Sequence, residues 1–223
     1  MAALQHNLFA SGEPALDVDA PFERVELDDS AWVDVCRGWL RGADELAVTF
    51  IDQIDWRQGR RWMYERHVDD PRLSRGYSSS EQLPHPILTT IDHALQRRYR
   101  KPMRGPALNY YRYGHDSVAP HRDRELRHLD DTLIAIVTLG ARRPFLIAPH
   151  GGGTSVDIAP ASGDLLVMGG TCGRDWVHGV PKVAHAGPRI SVTWRWTSRR
   201  GRPEMGADWG TPRNYGDRRG RYR

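Results

Sequence analysis

The sequence predicts a mainly β protein with flanking helices, and three observations support this fold class. Seven short runs rich in β-branched and aromatic residues follow one another between residues 106 and 197, separated by turn residues. One stretch before them has apolar residues at helical spacing. With 223 residues, the chain has the length of one compact domain with terminal extensions. Strands at this spacing favour a sandwich or barrel, such as a double-stranded β-helix (jelly-roll) core.

The first part of the chain is predicted to hold a flexible segment followed by one helix. Residues 1–21 carry Gly, Pro and Asp without apolar periodicity, and we expect a flexible N-terminal segment. Asp29 or Ser30 caps a predicted helix across residues 31–41, which ends at Gly42.

Three further segments precede the core. Residues 45–53 (ELAVTFIDQ) are predicted to form a strand, and residues 55–82 to be irregular and aromatic. Residues 83–100 have apolar side chains at helical spacing before a stop at Pro102, which predicts a helix.

The core strands are predicted where apolar and β-branched residues run together between turn signals. The predicted strands are ALNYYRY (107–113), TLIAIVTLG (132–140), PFLIA (144–148), TSVDIA (154–159), DLLVMGG (164–170), WVHGV (176–180) and RISVTWRWT (189–197). Residues 151–153 and 160–164 are predicted hairpin turns. Together these segments predict a compact antiparallel core over residues 106–197.

Positive charge is concentrated at the C-terminal end. The formal net charge is +4, yet residues 198–223 alone carry a net charge of +5, so the preceding residues sum to −1. This Arg/Gly-rich segment also contains Trp209, Tyr215 and Tyr222, and such a composition suits phosphate neutralisation and base stacking. A solvated tail that aids solubility is the alternative interpretation.

Secretion, membrane spanning and disulfide bonding have no support in the sequence. The chain does not open with a basic start and an apolar run, and it has no apolar stretch of membrane-spanning length. The two cysteines, Cys36 and Cys172, belong to no CxxC pair and are predicted to be ordinary reduced residues. We therefore expect a cytoplasmic protein.

An H-x-D pair carries the first chemical signal. His121 and Asp123 lie near the end of a predicted strand, and His178 lies in a later one. Two histidines and one carboxylate bind one face of Fe(II) and leave positions for a bidentate co-substrate and O₂, whereas zinc prefers a more closed tetrahedral shell. These residues are the candidate metal ligands.

A lone H-x-D pair is weakly specific, and the chain contains a second one, formed by His128 and Asp130. This second pair directly precedes an apolar strand, where its side chains suit an edge or a solvated turn. The remaining histidines have no notable partner spacing and are predicted to lie at the surface: His6, His67, His85, His93, His115, His150 and His185.

The last predicted strand has two arginines on one face, because side chains two residues apart point to the same side of a strand. The residues that share this face are Arg189, Ser191, Thr193 and Arg195. A dicarboxylate co-substrate would satisfy two inward guanidiniums through charge-assisted hydrogen bonds. The alternative is a basic strand that faces solvent and packs its apolar residues inward.

The segment NYYRYGHDSVAPHRDRE (109–125), together with HGVP (178–181) and RISVTWR (189–195), resembles the AlkB family of 2-oxoglutarate-dependent nucleic-acid demethylases. The family pattern starts with N-x-Y, reaches H-x-D and an acidic residue, continues to a distal histidine and closes on R-x-N-x-T-x-R. The resemblance covers roughly residues 60–197, and it selects the first H-x-D pair over the second.

The resemblance implies a role for each motif residue. Fe(II) would be bound by His121, Asp123 and His178. The co-substrate 2-oxoglutarate would be held by Asn109, Tyr111, Arg189, Ser191 and Arg195. Ser191 stands where the family usually has Asn, and its hydroxyl reaches less far than an amide.

The resemblance also implies that the region before the core forms a nucleotide-recognition lid, which in the family supplies an aromatic side chain that stacks on a flipped base. The candidates for contacts with the base are Trp62, Tyr64, Tyr77, Arg124 and Glu125. Glu125 would accept a hydrogen bond from an exocyclic amino group, and Arg124 stands where some members carry an acid. Neighbouring arginines suit phosphate contacts or a solvated surface: Arg57, Arg60, Arg61 and Arg66.

The implied activity is oxidative demethylation of N-alkylated bases, such as 1-methyladenine and 3-methylcytosine, in DNA or RNA, which directly reverses alkylation damage. It requires Fe(II), 2-oxoglutarate and O₂. Two alternatives stay open. One is an oxygenase of the same fold that hydroxylates a small molecule or a protein, and the other is a non-catalytic nucleic-acid-binding module.

The predicted organisation has four parts. They are a flexible segment (1–21), an N-terminal extension with the nucleotide-recognition lid (22–105), a jelly-roll Fe(II)/2-oxoglutarate dioxygenase core (106–197) and a basic tail (198–223). We expect alkylated DNA or RNA as the binding partner, no membrane association, no dedicated protein partner and a monomer.

Overall fold

A computed structural model describes residues 12–63, 65–78, 80–123 and 125–198. The predicted base-contacting residues Tyr64 and Arg124 lie outside the described residues, as do the side chain of Arg61 and nearly all of the basic tail. Within the described part, no helix has the length and apolar character that a membrane span requires.

Strands predominate over helices, as the sequence predicts. The strands are β1 (Ala15–Leu16), β2 (Phe22–Glu26), β3 (Ala31–Cys36), β4 (Leu40–Arg41), β5 (Arg57–Met63), β6 (Arg66–Gly76), β7 (Arg104–Tyr111), β8 (Val118–His121), β9 (Thr132–Gly140), β10 (Leu146–Pro149), β11 (Val156–Asp157), β12 (Leu165–Gly170), β13 (Trp176–Val180) and β14 (Arg189–Thr197). The helices are α1 (Ala43–Gln53), α2 (Ile87–Tyr99) and α3 (Cys172–Asp175).

Two antiparallel sheets form the body of the molecule. The larger, eight-stranded sheet has the order β2-β3-β12-β9-β14-β7-β6-β5, and the smaller, four-stranded sheet has the order β11-β10-β13-β8. From β7 onwards the chain crosses repeatedly between the two sheets, which is the connectivity of a double-stranded β-helix. The predicted jelly-roll fold class is therefore confirmed.

The larger sheet is covered on both faces. Its outer face packs against α1 and α2 in a helix-side cluster that includes Phe50, Leu88 and Val192. Its inner face meets the smaller sheet in an inter-sheet cluster that includes Ile136 and Phe145. Burial of both faces supplies most of the apolar area that stabilises the fold.

β14 shows how this layering positions polar groups. Ile190, Val192 and Trp194 belong to the helix-side cluster, so the alternate side chains point between the sheets. Arg189 and Ser191 on that inner face are buried as well. The alternative of a solvent-facing basic strand is therefore wrong.

Several predicted elements are confirmed. Residues 132–140, 176–180 and 189–197 form β9, β13 and β14 with the predicted bounds, and the helix predicted over 83–100 is α2. Residues 151–153 lie between the paired strands β10 and β11, as a hairpin turn should. The turn at 160–164 instead connects β11 to β12, which lie in different sheets, so the prediction of a hairpin there is wrong.

The predictions over residues 31–53 are wrong in both segments. Residues 31–36 form β3 rather than a helix, because pairing with β2 and β12 buries nearly all of the strand and removes any alternation from its sequence. Residues 45–53 belong to α1 rather than a strand. The buried side chains of α1, among them Ala43, Leu46, Ala47 and Phe50, recur at helical spacing.

The segment 55–82 is not irregular, since most of it forms the antiparallel hairpin β5–β6. Its strands are rich in charge and lack an apolar pattern, but β6 pairs with β7 from Leu73 to Gly76, so backbone hydrogen bonds define it. β2, β3, β5 and β6 all extend the larger sheet. The division of the chain into four parts stays a prediction.

Candidate metal centre and co-substrate pocket

Two neighbouring strands of the smaller sheet bring the predicted histidines together. His121 on β8 pairs in register with His178 on β13, and their ring centroids are 4.5 Å apart. The chain turns after β8 and places Asp123 beside the two histidines. One potential ligand atom from each of the three residues lies within 4.8 Å of the others. This arrangement fits a single metal ion bound by two nitrogens and one carboxylate oxygen.

A hydrogen bond fixes which nitrogen of His121 faces the centre. The Nδ1 atom lies 2.9 Å from the carbonyl oxygen of Ala119. Because a carbonyl only accepts, Nδ1 donates the proton and Nε2 keeps its lone pair. Nε2 is also the atom that lies 3.5 Å from Oδ1 of Asp123, so both atoms point to the same place.

The second carboxylate oxygen of Asp123 accepts a hydrogen bond from Arg195. The Nε atom of Arg195 donates to Oδ2 at 2.8 Å, across the gap between the two sheets. Burial alone would raise the pKa of Asp123, but Arg195 and the two histidines outweigh it and hold the pKa well below its usual value. The carboxylate is therefore charged, with Oδ1 directed toward the histidines.

The side chain of His178 is buried. Burial lowers the pKa of His178 to about 3, although the neighbouring Asp123 opposes this shift. The ring of Phe145 stacks against it with centroids 5.8 Å apart. A neutral imidazole with an available lone pair is the form that a metal ion requires.

A second polar pocket lies between the sheets, where β7 pairs with β14. Tyr111 is opposite Arg189, and Asn109 is opposite Ser191. Arg189 is fully buried and donates to the hydroxyls of Ser191 at 2.5 Å and Thr138 at 3.2 Å. Its Nε atom has no hydrogen-bond partner among the described residues.

The two arginines of β14 have different electrostatic surroundings. Arg195 is neutralised by Asp123, whereas Arg189 has no ion pair with a carboxylate in the part of the chain that the structure describes. Burial lowers the pKa of Arg189 to about 10, yet the guanidinium is still charged at neutral pH. A buried cation without a counter-ion is unfavourable, so the pocket fits the carboxylate of an anionic co-substrate.

Comparison with known proteins agrees with this chemistry. Residues 44–195 match the family model described as the 2OG-Fe(II) oxygenase superfamily. The chain belongs to this superfamily. Its metal-centre residues and its β7 and β14 pocket lie within the matched residues.

Within the 2OG-Fe(II) oxygenase superfamily, the similar curated proteins are AlkB homologues. The human alpha-ketoglutarate-dependent dioxygenase alkB homolog 3 is 28% identical over 177 residues, which cover 70% of this chain and 62% of that protein. The Arabidopsis thaliana DNA oxidative demethylase ALKBH2 is 35% identical over 112 residues, which cover 40% of this chain and 36% of that protein. These relatives confirm the predicted resemblance, and the matched region spans less than two thirds of each of these two relatives.

Two solved structures share the fold. A prolyl hydroxylase from Trichoplax adhaerens, solved with a hypoxia inducible factor peptide fragment, has a TM-score of 0.56 at 10% identity and covers 74% of this chain and 83% of that chain. A 2OG-Fe(II) oxygenase family oxidoreductase from Burkholderia pseudomallei has a TM-score of 0.50 at 14% identity, with 71% and 80% covered. At such identities the likeness concerns the fold alone.

The predicted lid residues of this superfamily member have different environments. Trp62 lies on β5, is 58% exposed and contacts His67 edge-on with ring centroids 5.0 Å apart. Tyr77 packs against the helix-side cluster, with the guanidinium of Arg75 above its ring, and its contact with a base stays a prediction. Glu125 is half-buried in the loop that follows Asp123.

Two polar residues of the pocket are not among those predicted from the sequence. Arg72 donates from Nε to Oδ1 of Asn109 at 2.9 Å, but it lies in a segment predicted to be irregular, so the direction of its side chain was not predictable. Thr138 pairs across strands with Ser191. A signal for Thr138 existed, since pairing the two predicted strands would have placed its hydroxyl beside Arg189.

The second H-x-D pair has another role. His128 is exposed and accepts a hydrogen bond from Arg127, while Asp130 forms an ion pair with Arg174. Among the described residues, the group with metal-ligand spacing is the one formed by the first pair and His178.

Proposed function

We propose that this chain is an Fe(II)- and 2-oxoglutarate-dependent dioxygenase that demethylates N-alkylated bases in DNA or RNA. The observation that carries the proposal is the cluster of His121, Asp123 and His178 in the same fold as a buried Arg189 that lacks a carboxylate partner among the described residues. A nucleic-acid substrate is supported by the relative from Arabidopsis thaliana, which is a DNA oxidative demethylase. The expected lesions are 1-methyladenine and 3-methylcytosine.

Each polar group has a defined task in this proposal. His121 through Nε2, Asp123 through Oδ1 and His178 would hold Fe(II). Bound Fe(II), together with 2-oxoglutarate and O₂, supplies the oxidising power that hydroxylates the N-alkyl carbon, which then leaves as an aldehyde.

The co-substrate would be held by the inner face of β7 and β14. Arg189 would pair with one carboxylate of 2-oxoglutarate, because Ser191 and Thr138 already orient its guanidinium. Asn109 and Tyr111 lie directly opposite on β7. Arg195 keeps Asp123 charged and fixes one of its oxygens, which leaves the other for the metal.

The test is a demethylation assay with matched histidine variants. The protein is incubated with Fe(II), ascorbate, 2-oxoglutarate and an oligonucleotide that contains 1-methyladenine or 3-methylcytosine, and both base mass and succinate are measured. We expect loss of demethylation in His121→Ala and retention in His128→Ala. Succinate formation without loss of the methyl group would point to another substrate, and absence of both would contradict the proposed enzyme.

A second variant separates base recognition from co-substrate turnover. Glu125→Gln should impair demethylation of the oligonucleotide while 2-oxoglutarate is still converted to succinate, because Glu125 is proposed to contact the base and not the metal. Unchanged demethylation in this variant would contradict the assignment of Glu125.

A further inference from the structure

The loop between β8 and β9, which carries Asp123, packs against α3. This short helix leads directly into β13, the strand that carries His178. Arg122, just before Asp123, donates from Nη1 to the carbonyl oxygen of Arg174 at 2.8 Å. Asp130, near the other end of the loop, forms an ion pair with Nη1 of Arg174. The two contacts bracket the loop, and both end on the same residue of α3.

Arg174 is itself held in one orientation. Its Nε and Nη2 atoms donate to the two carboxylate oxygens of Asp175, each at 2.9 Å, which leaves Nη1 for Asp130. The next residue, Trp176, begins β13 and donates from Nε1 to Asp28 at 2.7 Å. The planar guanidinium therefore connects the Asp123 loop to a fixed start of the His178 strand.

Apolar contacts hold the loop down but do not fix its position along the helix. Leu126 and Leu129 are fully buried in the inter-sheet cluster with Cys172. The approach is close, since a Cβ atom on Gly173 would lie 3.1 Å from Cβ of Leu126. Hydrophobic packing is non-directional, whereas the hydrogen bonds of Arg122 and Arg174 depend on direction and register.

We propose that Arg122, Asp130 and Arg174 form a clamp that positions Asp123 relative to His178 and thereby raises the affinity of the centre for its metal ion. The inference rests on the proposed metal centre. None of the three side chains is a metal ligand, so they are positioning residues. The second H-x-D pair thus serves the centre formed by the first, through the carboxylate of Asp130.

Exposure of the clamp distinguishes this role from a general contribution to stability. Arg174, Asp130 and Asp175 are substantially exposed, and ion pairs at such sites contribute little to global stability. Metal affinity is more sensitive, because residues that orient the ligands affect it strongly.

The experiment compares Asp130→Asn and Arg174→Gln with Asp131→Asn. The control removes the same charge from the adjacent residue, whose carboxylate has no hydrogen bond or ion pair within the described ranges. Binding of Co(II) in the presence of 2-oxoglutarate is measured by titration and by the visible spectrum of the bound ion, and thermal unfolding is measured without metal.

We expect Asp130→Asn and Arg174→Gln to bind Co(II) about 10-fold more weakly and to change its spectrum, with unfolding of the metal-free protein nearly unchanged. Asp131→Asn should bind like the wild type. Arg174→Lys, which retains the charge opposite Asp130, should recover part of the affinity. The double variant should bind no more weakly than Arg174→Gln alone, because the two substitutions remove one shared contact.

Three results would overturn the clamp. These are wild-type affinity in both clamp variants, an equal loss in Asp131→Asn, or a loss of thermal stability that parallels the loss of affinity. A wild-type protein that binds no Co(II) would overturn the metal centre as well. If the wild type binds Co(II) and demethylates, and the clamp variants bind Co(II) as tightly as the wild type, only the clamp is overturned.

Discussion

At the scale of single residues, Arg189 is the side chain whose environment most requires a ligand. It is a fully buried cation surrounded by hydroxyl groups, with its Nε atom unpaired within the described part of the chain. Desolvation of such a charge is unfavourable in the free protein. The same arrangement prepares a strong, directional interaction with an incoming carboxylate.

Replacement of Arg189 by Met should therefore weaken 2-oxoglutarate binding without lowering the free energy of unfolding. Arg189→Met should weaken 2-oxoglutarate binding about 100-fold or more, because a desolvated charge pair is lost. The ligand-free protein should unfold with a free energy unchanged or higher by about 1–3 kcal/mol, since an apolar side chain of similar length replaces a buried charge.

Calorimetry of 2-oxoglutarate binding and urea unfolding check these two effects. Arg142→Met is the matched control, because Arg142 is exposed and follows the end of β9, where Gly140 pairs with Arg189. A strongly destabilised Arg189→Met protein would indicate that Arg189 has a structural partner instead of a ligand.

The cysteines give a prediction about reactivity. Burial raises the pKa of the Cys36 thiol to about 11 and that of the Cys172 thiol to about 12. At pH 8 the thiolate fraction of either group is then about 0.1% or less. A thiol reagent at pH 8 should leave the native protein unmodified and label both groups after unfolding in guanidinium. Rapid stoichiometric labelling of the folded protein would contradict this.

At the scale of elements, the sequence predicts the strands that have strong β-forming runs and clear turn boundaries. β9 and β14 are such runs, and their bounds are predicted correctly. The prediction of a helix in place of β3 is wrong because both faces of this strand are buried, so the periodicity of its sequence carries no information. The buried Asp34 of β3 accepts hydrogen bonds from Arg24 on β2 and from Tyr99 on α2, contacts that form only when these elements pack together.

The same reasoning explains which site residues could be predicted. His121 and Asp123 are two residues apart and form a local motif, whereas His178 and the choice between the two H-x-D pairs came from the resemblance to the family pattern. The contact of Arg72 with Asn109 joins β6 to β7, and that of Arg195 with Asp123 joins β14 to the loop after β8, so only the folded sheets bring these residues together. Ser191 orients Arg189, a role that depends on the rotamer of its neighbour.

The β5–β6 hairpin gives a prediction about substrate binding. Trp62 is exposed on this hairpin, and base stacking on an aromatic side chain is worth about 1–3 kcal/mol. Trp62→Ala should weaken binding of a methylated oligonucleotide roughly 5-fold or more by fluorescence anisotropy and leave 2-oxoglutarate binding unchanged. Tyr113→Ala is the control, since Tyr113 is also exposed, at 48%, but lies in the β7–β8 loop. Equal effects of both substitutions would argue against a specific role of Trp62.

At the scale of the whole molecule, the metal centre joins the two sheets. The histidines belong to the smaller sheet, while Arg195 reaches Asp123 from β14 of the larger one. Ligands that occupy this gap should therefore stabilise the entire fold.

Bound metal and co-substrate should raise the unfolding free energy together. Each ligand at about 100 times its Kd should add about 2.7 kcal/mol, measured by thermal unfolding with Mn(II) and 2-oxoglutarate. At the same concentration, pyruvate, which lacks the distal carboxylate, should raise the unfolding free energy less than 2-oxoglutarate does, because it should bind more weakly. An equal rise with pyruvate would show that the distal carboxylate has no partner in the pocket.

The most direct test of the account is calorimetric titration of 2-oxoglutarate into the Mn(II)-loaded protein, performed with the wild type, His121→Ala and His128→Ala. We expect 2-oxoglutarate to bind to the wild type and to His128→Ala and not to His121→Ala, because the co-substrate would chelate the metal that His121 holds. Unchanged binding in His121→Ala together with loss in His128→Ala would contradict the assignment of the metal centre.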